Sequence, residues 1–323
     1  MVEKISIKNF KSIKDLEFDA KKINLFIGKP NTGKSNILEA LGMFSLPYLD
    51  QDDLRFFIRA ERVIDLFFDN QTSQRIEIKG DNISCQVWSE GDVIIAVIQE
   101  LDNKVLHLSL DANWNILNRQ VQPPLPNFKF YRYRTLTTFP RKEFDFLLPP
   151  DGKNLLTILS SNENIYNLVN NLLEEDKLEI VLEEAESKIK ILKKTATKPI
   201  LHPYASLSDT FQRIIFYLCA IKSNKNSILI FEEPEAHSFP YYTKILAEIV
   251  VLDNSNNQYF ISTHNPYFVL SILEKTPIEQ LAVFITYLEN FQTKIKELSE
   301  EQKEEILEGK VDVFFNIERF IEK

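Results

Sequence analysis

Residues 28–35 read GKPNTGKS, fed by the apolar run INLFI at 23–27 and followed by NILEALGMF at 36–44. Two glycines bracket four residues, and a lysine and a serine close the stretch, which is the pattern GxxxxGK[ST]. That spacing lets successive backbone N–H groups curl around a phosphate. The apolar run suits an inner strand. Ile37, Leu38, Leu41 and Phe44 recur at near-helical spacing behind it, so the context is strand, loop, helix. The chain has only seven glycines, and two stand where the pattern requires them. Gly28, Lys29, Pro30, Asn31, Thr32, Gly33, Lys34, Ser35 and Asn36 are therefore expected to form a phosphate cradle. Lys34 would neutralise outer phosphates and the Ser35 hydroxyl would ligate Mg²⁺. Asn31 suits a loop position that needs left-handed backbone.

Working outward, three more stretches carry chemistry. SILIFEEPEAH (227–237) is an apolar run that ends in two carboxylates. Glu232 would bind the metal shell and Glu233 would orient or deprotonate a water, with Pro234 turning the chain. QYFISTHNP (258–266) is a second short β-rich run that ends in a histidine. If the two strands are neighbours, His264 could reach a terminal phosphate. ASLSDTFQRIIF (205–216) is a polar loop opening an amphipathic helix, whose N-terminus would face an anion.

The rest of the chain frames these pieces. KISIKNF (4–10) alternates as a half-buried strand does. RIEIKGDNISCQVW (75–88) reads as two strands around a turn at Lys79-Gly80-Asp81-Asn82, and VIIAVIQE (93–100) and KVLHLSL (104–110) as two more, giving an antiparallel β region. NFKFYRY (127–133) reads as another strand. Beyond LLPPDGKN (147–154) the chain is expected to turn helical, with Ile165, Leu168, Val169, Leu172 and Leu173 on one face. The charged segment 178–198 carries Lys188, Lys190, Lys193, Lys194 and Lys198. Ser299 and Gln302 could form a capping box for a last helix that stops at Gly309.

With 323 residues, 44% of them hydrophobic, the chain can bury a sizeable core. A net charge of −9 argues against a protein that simply coats nucleic acid. The two cysteines, Cys85 and Cys219, are far apart and support neither a zinc site nor a disulfide framework. No apolar run approaches a bilayer span, and MVEKISIKNF is not a signal peptide, so a cytoplasmic location without membrane partners is expected.

The order of the pieces is phosphate loop, long insertion, Ser-led helix, double-carboxylate strand, then a strand ending in histidine. It resembles that of the ABC-type ATPases, and more closely the SMC/RecF/OLD branch. ISIKNFKSIKDLEF (5–18) is similar to the first hairpin of that branch, and LLPPDGKNLLTIL and FEEPEAH look like those of short OLD-like ATPases. The resemblance covers about residues 1–270. It implies an α/β fold: an ABC-type P-loop ATPase head with a mixed β-sheet around the P-loop helix, an antiparallel β region and a helical lobe. One domain, 1–323, would divide into lobe I (about 1–130 and 223–323) and lobe II (about 131–222). It further implies ATP and Mg²⁺ as ligands and a homodimer through the ATP sites. By position Ser208 would act in trans as the signature serine. Glu233 would be the catalytic glutamate, with His264 the switch histidine and residues 236–239 the cross-dimer contact. Lys11 would approach the nucleotide.

Three positions depart from that pattern. The signature loop has Thr210 where a glycine is usual, and a branched Cβ hinders close backbone approach to phosphate. Glu232 stands where Asp is commoner. The glutamine loop has no clear counterpart: Gln99 is one candidate, and the segment around Tyr131–Arg134 a better positional match. Neither coiled-coil arms nor a zinc hook fit in the 173 positions between Ser35 and Ser208. The 57 residues after Pro266 hold no DxD pair, so no Toprim nuclease is expected in this chain. The resemblance therefore implies a head-only ATPase that dimerises around ATP. It would control a separately encoded effector (a nuclease or toxin), or DNA, in prokaryotic antiviral defence or DNA repair. The alternative is an ATP-gated scaffold with little turnover. DNA phosphates could be met by the 188–198 lysines with Arg132, Arg134, Arg141 and Lys142. The competing reading has those lysines balancing Glu183, Glu184 and Glu186 on a solvated face.

Overall fold

The structure is a computed structural model that describes residues 1–49, 54–140 and 144–321. Its strands, in chain order, are β1 (Lys4–Phe10), β2 (Ile13–Asp19), β3 (Ile23–Gly28), β4 (Ile76–Lys79), β5 (Ile83–Glu90), β6 (Val93–Glu100), β7 (Asn103–Leu110), β8 (Ile116–Val121), β9 (Phe128–Tyr131), β10 (Leu178–Glu183), β11 (Lys188–Lys193), β12 (Ile200–Pro203), β13 (Ile228–Glu232), β14 (Gln258–Ser262), β15 (Leu281–Glu289) and β16 (Gln292–Glu297). The helices are α1 (Lys34–Gly42), α2 (Leu54–Phe57), α3 (Leu155–Ser161), α4 (Glu163–Leu173), α5 (Asp209–Ser223), α6 (Pro240–Val251), α7 (Pro266–Lys275), α8 (Glu300–Leu307) and α9 (Ile317–Ile321).

Contacts divide the chain into two units, Met1–Phe130 with Asn226–Glu233 and Gln258–Lys323, and Tyr131–Lys225 with Pro234–Asn257. The chain-order division placed 234–257 in lobe I. Its contacts group it with the second unit, where α6 packs on α5 through Phe211 and Tyr242, whose ring centroids are 5.1 Å apart.

In the first unit, a sheet of order β2-β1-β4-β5-β6-β7-β8 is antiparallel throughout. Its period-2 burial is plain in β5, where Ile83, Cys85 and Val87 are buried between partly exposed neighbours. A second sheet runs β16-β15-β3-β14-β13-β9. Here β3 lies between β14 and β15 and is parallel to both, and β14 is parallel to β13. Strands covered on both faces read as continuous apolar runs, as INLFIG and ILIFE do. Phe18 from the first sheet meets Phe26, Phe260 and Phe284 from the second at 5.1–6.5 Å between ring centroids. Burying each such ring contributes about 1.5–3 kcal/mol, so β3 is fixed on the side away from its loop. The loops after β3, β13 and β14 then all leave from the carboxyl ends of parallel strands, where ligands bind in open α/β sheets.

One expectation needs correcting. Segment 178–193 is a β-hairpin, β10–β11, continued by β12 into an antiparallel sheet, within a stretch read as helical. The alternation in LEIVLE and KIKILK buries Ile180, Ile189 and Ile191 on one face, a period the density of charge had masked. The β15–β16 hairpin was not anticipated at all, although it supplies a direct neighbour of β3. The capping box forms as expected: Ser299 Oγ accepts from Gln302 N and Gln302 Oε1 from Ser299 N, and Gly309 follows the helix at φ 70°. Cys85 and Cys219 are buried and free, and burial pushes the Cys85 thiol up to about 12. Among the described residues no helix is long and apolar enough to cross a membrane.

Candidate nucleotide site

The loop after β3 is held open by its two glycines. Gly28 has φ 154° and Gly33 φ 98°, both in the region that penalises a Cβ. A Cβ on Gly28 would lie 2.4 Å from the Thr286 carbonyl oxygen and hydroxyl, and one on Gly33 would lie 1.9 Å from Thr293 Oγ1. The loop is thus pressed against the β15–β16 hairpin by close approach as well as by backbone shape. Thr32 Oγ1 shares a 2.7 Å hydrogen bond with Thr286 Oγ1, and Thr293 Oγ1 donates to the Thr32 carbonyl at 3.1 Å. Asn31 is left-handed at φ 61°, as its residue type suggested.

Gly33 caps α1 with no side-chain hydrogen bond, so the first amides of that helix have no side chain to satisfy them. Lys34 folds back on the loop, donating through Nζ to the carbonyls of Gly28 (2.9 Å) and Lys29 (2.8 Å). Burial pulls its pKa down to about 8, against the opposing charge of Glu233. Lys29 pairs with Glu318. Asn36 Nδ2 donates to Ser12 Oγ at 2.6 Å, and the Ser12 and Thr293 hydroxyls share a hydrogen bond at 2.6 Å.

β13 and β14 are neighbours in register, Glu232 opposite Ser262. Glu233 N–H donates to the Ser262 carbonyl at 3.0 Å, and Glu233 itself sits at φ 42°, a strained conformation for a glutamate. That kink turns its side chain off the strand line and leaves it 42% exposed, with Oε1 3.4 Å from His264 Nε2. Burial, then the charge of Lys34, lower the His264 pKa, while Glu233 raises it in part, so the imidazole is neutral at pH 7. Glu232 is buried, and its carboxylate pairs with Arg59. The Ser262 hydroxyl beside it is buried and finds no hydrogen-bond partner.

Sequence reasoning gave no weight to Arg59 or Glu39. Glu39, buried on α1, takes Lys11 on one oxygen and Arg59 Nε at 3.8 Å on the other, and Lys11 Nζ also donates to the Arg59 carbonyl at 2.8 Å. Burial lowers the Arg59 pKa, but Glu232, Glu39 and Glu233 together raise it further, so its net shift is upward. Glu39 sits in an unbroken buried run, Ile37–Gly42, where a charge is unusual, and nothing in the local sequence around Arg59 marks it. Lys11, expected near the nucleotide, lines the same cavity as Asn31, Lys34, Ser35, Arg59, Glu233 and His264. That cavity measures about 650 Å³, enough for a drug-sized ligand. Among the described residues no cluster of three or more His, Cys, Asp or Glu side chains forms a metal cage. Of the two residues expected at Mg²⁺, Ser35 lines this cavity, whereas Glu232 is not among its lining residues and holds Arg59; Mg²⁺ sites take few protein ligands, with substrate phosphates completing the shell.

Other expected site residues lie elsewhere. Ser208 caps α5, accepting from Phe211 N at 3.4 Å, and Thr210 Oγ1 donates to the His237 carbonyl at 3.2 Å. His237 is left-handed at φ 60° and Phe239 is 67% exposed. Gln99 is an exposed residue on β6 and does not line the cavity. Tyr131, Tyr133 and Arg134 are engaged within their own unit by Leu147, Gln212 and Asp151. Lys188, Lys190 and Lys194 pair with Glu186, Glu183 and Glu179, which fits a balanced solvated face better than a phosphate-binding one. Arg141 and Lys142 lie outside the described residues.

A mixed sheet with a glycine loop after its inner strand, a double-carboxylate strand and a strand ending in a histidine beside it is the fold of an ABC-type P-loop ATPase head. The chain belongs to the AAA ATPase domain family, whose pattern it matches over residues 1–212 and 208–269. It is similar to an ATP/GTP phosphatase of Helicobacter pylori, 22% identical with 83% of this chain and 86% of the relative covered. Among solved structures it is similar to an SMC head bound to the C-winged helix domain of ScpA (TM-score 0.54, 16% identity, 93% of this chain and 98% of that one). It is also similar to a Pyrococcus furiosus SMC head with an extended coiled coil, bound to the C-terminal domain of ScpA (TM-score 0.50, 16% identity, 95% and 98%). At that identity the structural likeness speaks for the fold alone.

Proposed function

We propose that the cavity binds ATP with Mg²⁺ and that the chain hydrolyses it as a homodimer whose engagement cycle controls a partner. The observation that carries this reading is convergence. The 28–36 loop, Glu233 and His264 come from three distant segments and line one cavity with Lys11 and Arg59. The amides at the start of α1 receive the phosphates. Lys34 exchanges its two loop carbonyls for phosphate oxygens, a stronger charge-assisted bond. Ser35 and Glu232 would hold Mg²⁺, which supplies charge neutralisation on the phosphate oxygens. Glu232 already has a cation beside it in Arg59. With Glu232 given over to Mg²⁺, Arg59 would be able to turn its guanidinium to the triphosphate. Glu233 accepts a proton from, or orients, the attacking water, and neutral His264 donates a hydrogen bond to the terminal phosphate.

Ser208 of a second copy, with 236–239, closes the site in trans, as the resemblance implies. The Helicobacter relative's name supports hydrolysis of nucleoside triphosphates. Both SMC heads were solved with ScpA domains bound, which supports a protein partner. For this chain that partner is proposed to be a separately encoded nuclease or toxin, or DNA, in antiviral defence or repair. Steady-state phosphate release tests the chemistry. Glu233→Gln is expected to slow release about 100-fold or more and to trap an ATP-bound dimer in sedimentation. Undiminished release in that variant would refute the assignment.

The second reading, an ATP-gated scaffold with little turnover, is favoured by one observation. Thr210 replaces the signature glycine, and its hydroxyl is tied to the His237 carbonyl. Tight ATP binding with no release above buffer would select it.

A further inference from the structure

The β15–β16 hairpin that packs on the phosphate loop ends in a turn, Asn290-Phe291, with φ 49° and 60°. Two-residue turns of this kind require positive φ at both positions, and Asn-Gly is the favoured pair because glycine bears no penalty there. Asn290 fits that preference. Phe291 does not, since positive φ is an outlier for a bulky residue. The phenylalanine is also 92% exposed, so no core packing compensates for the strained backbone. A single exposed apolar residue is ordinary on a protein surface. An exposed ring kept where glycine is the easier choice points to use.

Its location says which use. Phe291 and Leu288, itself 46% exposed, are apolar residues on the rim of the cavity that also holds Asn31, Lys34 and Ser35. The hairpin below the turn is clamped to the loop. Thr286 and Thr293 are buried against Gly28 and Gly33, and Thr293 N–H donates to the Ser12 carbonyl at 2.8 Å. The hairpin that carries the ring is therefore held against the phosphate cradle at Thr286 and Thr293. We propose that Phe291 is the stacking platform for the nucleobase of the bound triphosphate. Resting on the nucleotide reading above, this inference adds the residue that binds the base. Stacking engages the π-face that every base presents, so the platform serves ATP and GTP alike.

The test is calorimetric titration of the full chain with ATP, GTP and inorganic tripolyphosphate, at protein concentrations where it is monomeric. Phe291→Gly is expected to weaken ATP and GTP by about 5- to 100-fold, to leave tripolyphosphate unchanged, and to raise the melting temperature of the nucleotide-free chain by relieving the turn. Phe291→Trp is expected to keep nucleotide affinity and to show fluorescence quenching on addition of ATP but not of tripolyphosphate. If Phe291→Gly binds ATP as tightly as the parent while Lys34→Ala loses both ATP and tripolyphosphate, the cradle stands and the platform is wrong. If Lys34→Ala loses neither, the cavity is not the triphosphate site and both fall. An equal loss of ATP and tripolyphosphate in Phe291→Gly would show a distorted loop and would also overturn the stacking role.

Discussion

Two helix N-termini in this chain are proposed to meet phosphate, and they are finished in opposite ways. α1 begins at Gly33, left-handed and without a side-chain cap, in a loop whose own lysine turns back on its carbonyls. α5 begins at Ser208, whose hydroxyl caps the helix, with Asp209 in the first turn. Thr210 in that turn spends its hydroxyl on the His237 carbonyl. An acidic first turn and a working cap stabilise an isolated helix, and both oppose an incoming phosphate. The first end carries no side-chain cap that a ligand would have to displace. The second carries one, and on the proposed reading would give it up to reach phosphate. This difference suits a site where one subunit binds nucleotide unaided and the second engages only when the γ-phosphate is present.

The largest effects should separate the two ends. Lys34→Ala is expected to weaken ATP about 30-fold or more, since truncating one member of a desolvated charge pair removes about 2–5 kcal/mol. Ser208→Ala should leave ATP binding to the monomer unchanged and suppress dimer formation by the Glu233→Gln chain. Titration calorimetry and sedimentation read the two quantities separately. Equal loss of monomer affinity in both variants would erase the distinction.

Next comes the geometry of the first end. Gly33→Ala places a Cβ 1.9 Å from Thr293 Oγ1 at φ 98°. Overpacking of about 1–3 kcal/mol adds to the left-handed backbone penalty of about 1–2 kcal/mol, so urea unfolding should show a loss of about 2–5 kcal/mol. Gly33→Ala with Thr293→Ala should recover the packing part only. Full recovery would mean that the backbone angle is irrelevant, and no recovery that the hairpin does not brace the loop. Thr210→Gly, at the other end, loses only a hydroxyl bond and some first-turn propensity, together about 0.5–2.5 kcal/mol.

Much of this contrast could be read from residue order, because backbone-driven features leave local marks. Gly28, Gly33 and Asn31 sit where the loop needs unusual φ, and the apolar runs before Gly28 and Glu232 announce doubly covered strands. The Ser208 cap was legible for the same reason. What stayed hidden depends on pairing across distance. Arg59 meets Glu232 across 173 positions and Thr293 meets Gly33 across 260, and no local pattern encodes either. The β15–β16 hairpin escaped because LAVFITYLE has no clean alternation, being buried at consecutive positions as the neighbour of β3. In β10 and β11 the reverse happened: alternation was present, but lysines and glutamates paired across the strands concealed it.

A smaller effect distinguishes the ends by pH. In the free chain Lys34 sits at about 8, below the ordinary value of 10.5, because its ammonium is desolvated. Triphosphate binding favours the charged form, so above pH 8 binding must take up a proton. Affinity should be flat below that pH and fall by up to about tenfold per unit above it. The stability sign is opposite. The folded-state value is lowered, so the charge is a net cost to the empty fold below pH 8. That cost is relieved as pH rises from about 8 toward 10.5, and stability from this group increases across the window. Lys34→Met should remove both dependences. Ser208 and Thr210 have no ionisation in this range, so dimer formation measured at saturating ATP should not share the inflection.

The smallest expected change converts the second end toward the first. Thr210→Gly removes a branched Cβ from the turn proposed to approach the γ-phosphate and deletes the hydroxyl bond to the His237 carbonyl. The lost bond is worth about 0.5–1.5 kcal/mol. Glycine also lowers helix propensity, by up to about 1 kcal/mol in a helix interior and less in a first turn. Against these costs, backbone approach improves and the 236–239 loop is released from α5. If slow closure limits the cycle, phosphate release should rise about two- to fivefold, a barrier change of about 0.4–1 kcal/mol, while monomer affinity for ATP stays constant. Unchanged release would place the limit in the first end, at the exchange of Arg59 and Lys34 onto phosphate. Arg59→Lys would then be the variant that moves the rate, because lysine keeps the charge but loses the planar fork that Arg59 lends to Glu232 and Glu39.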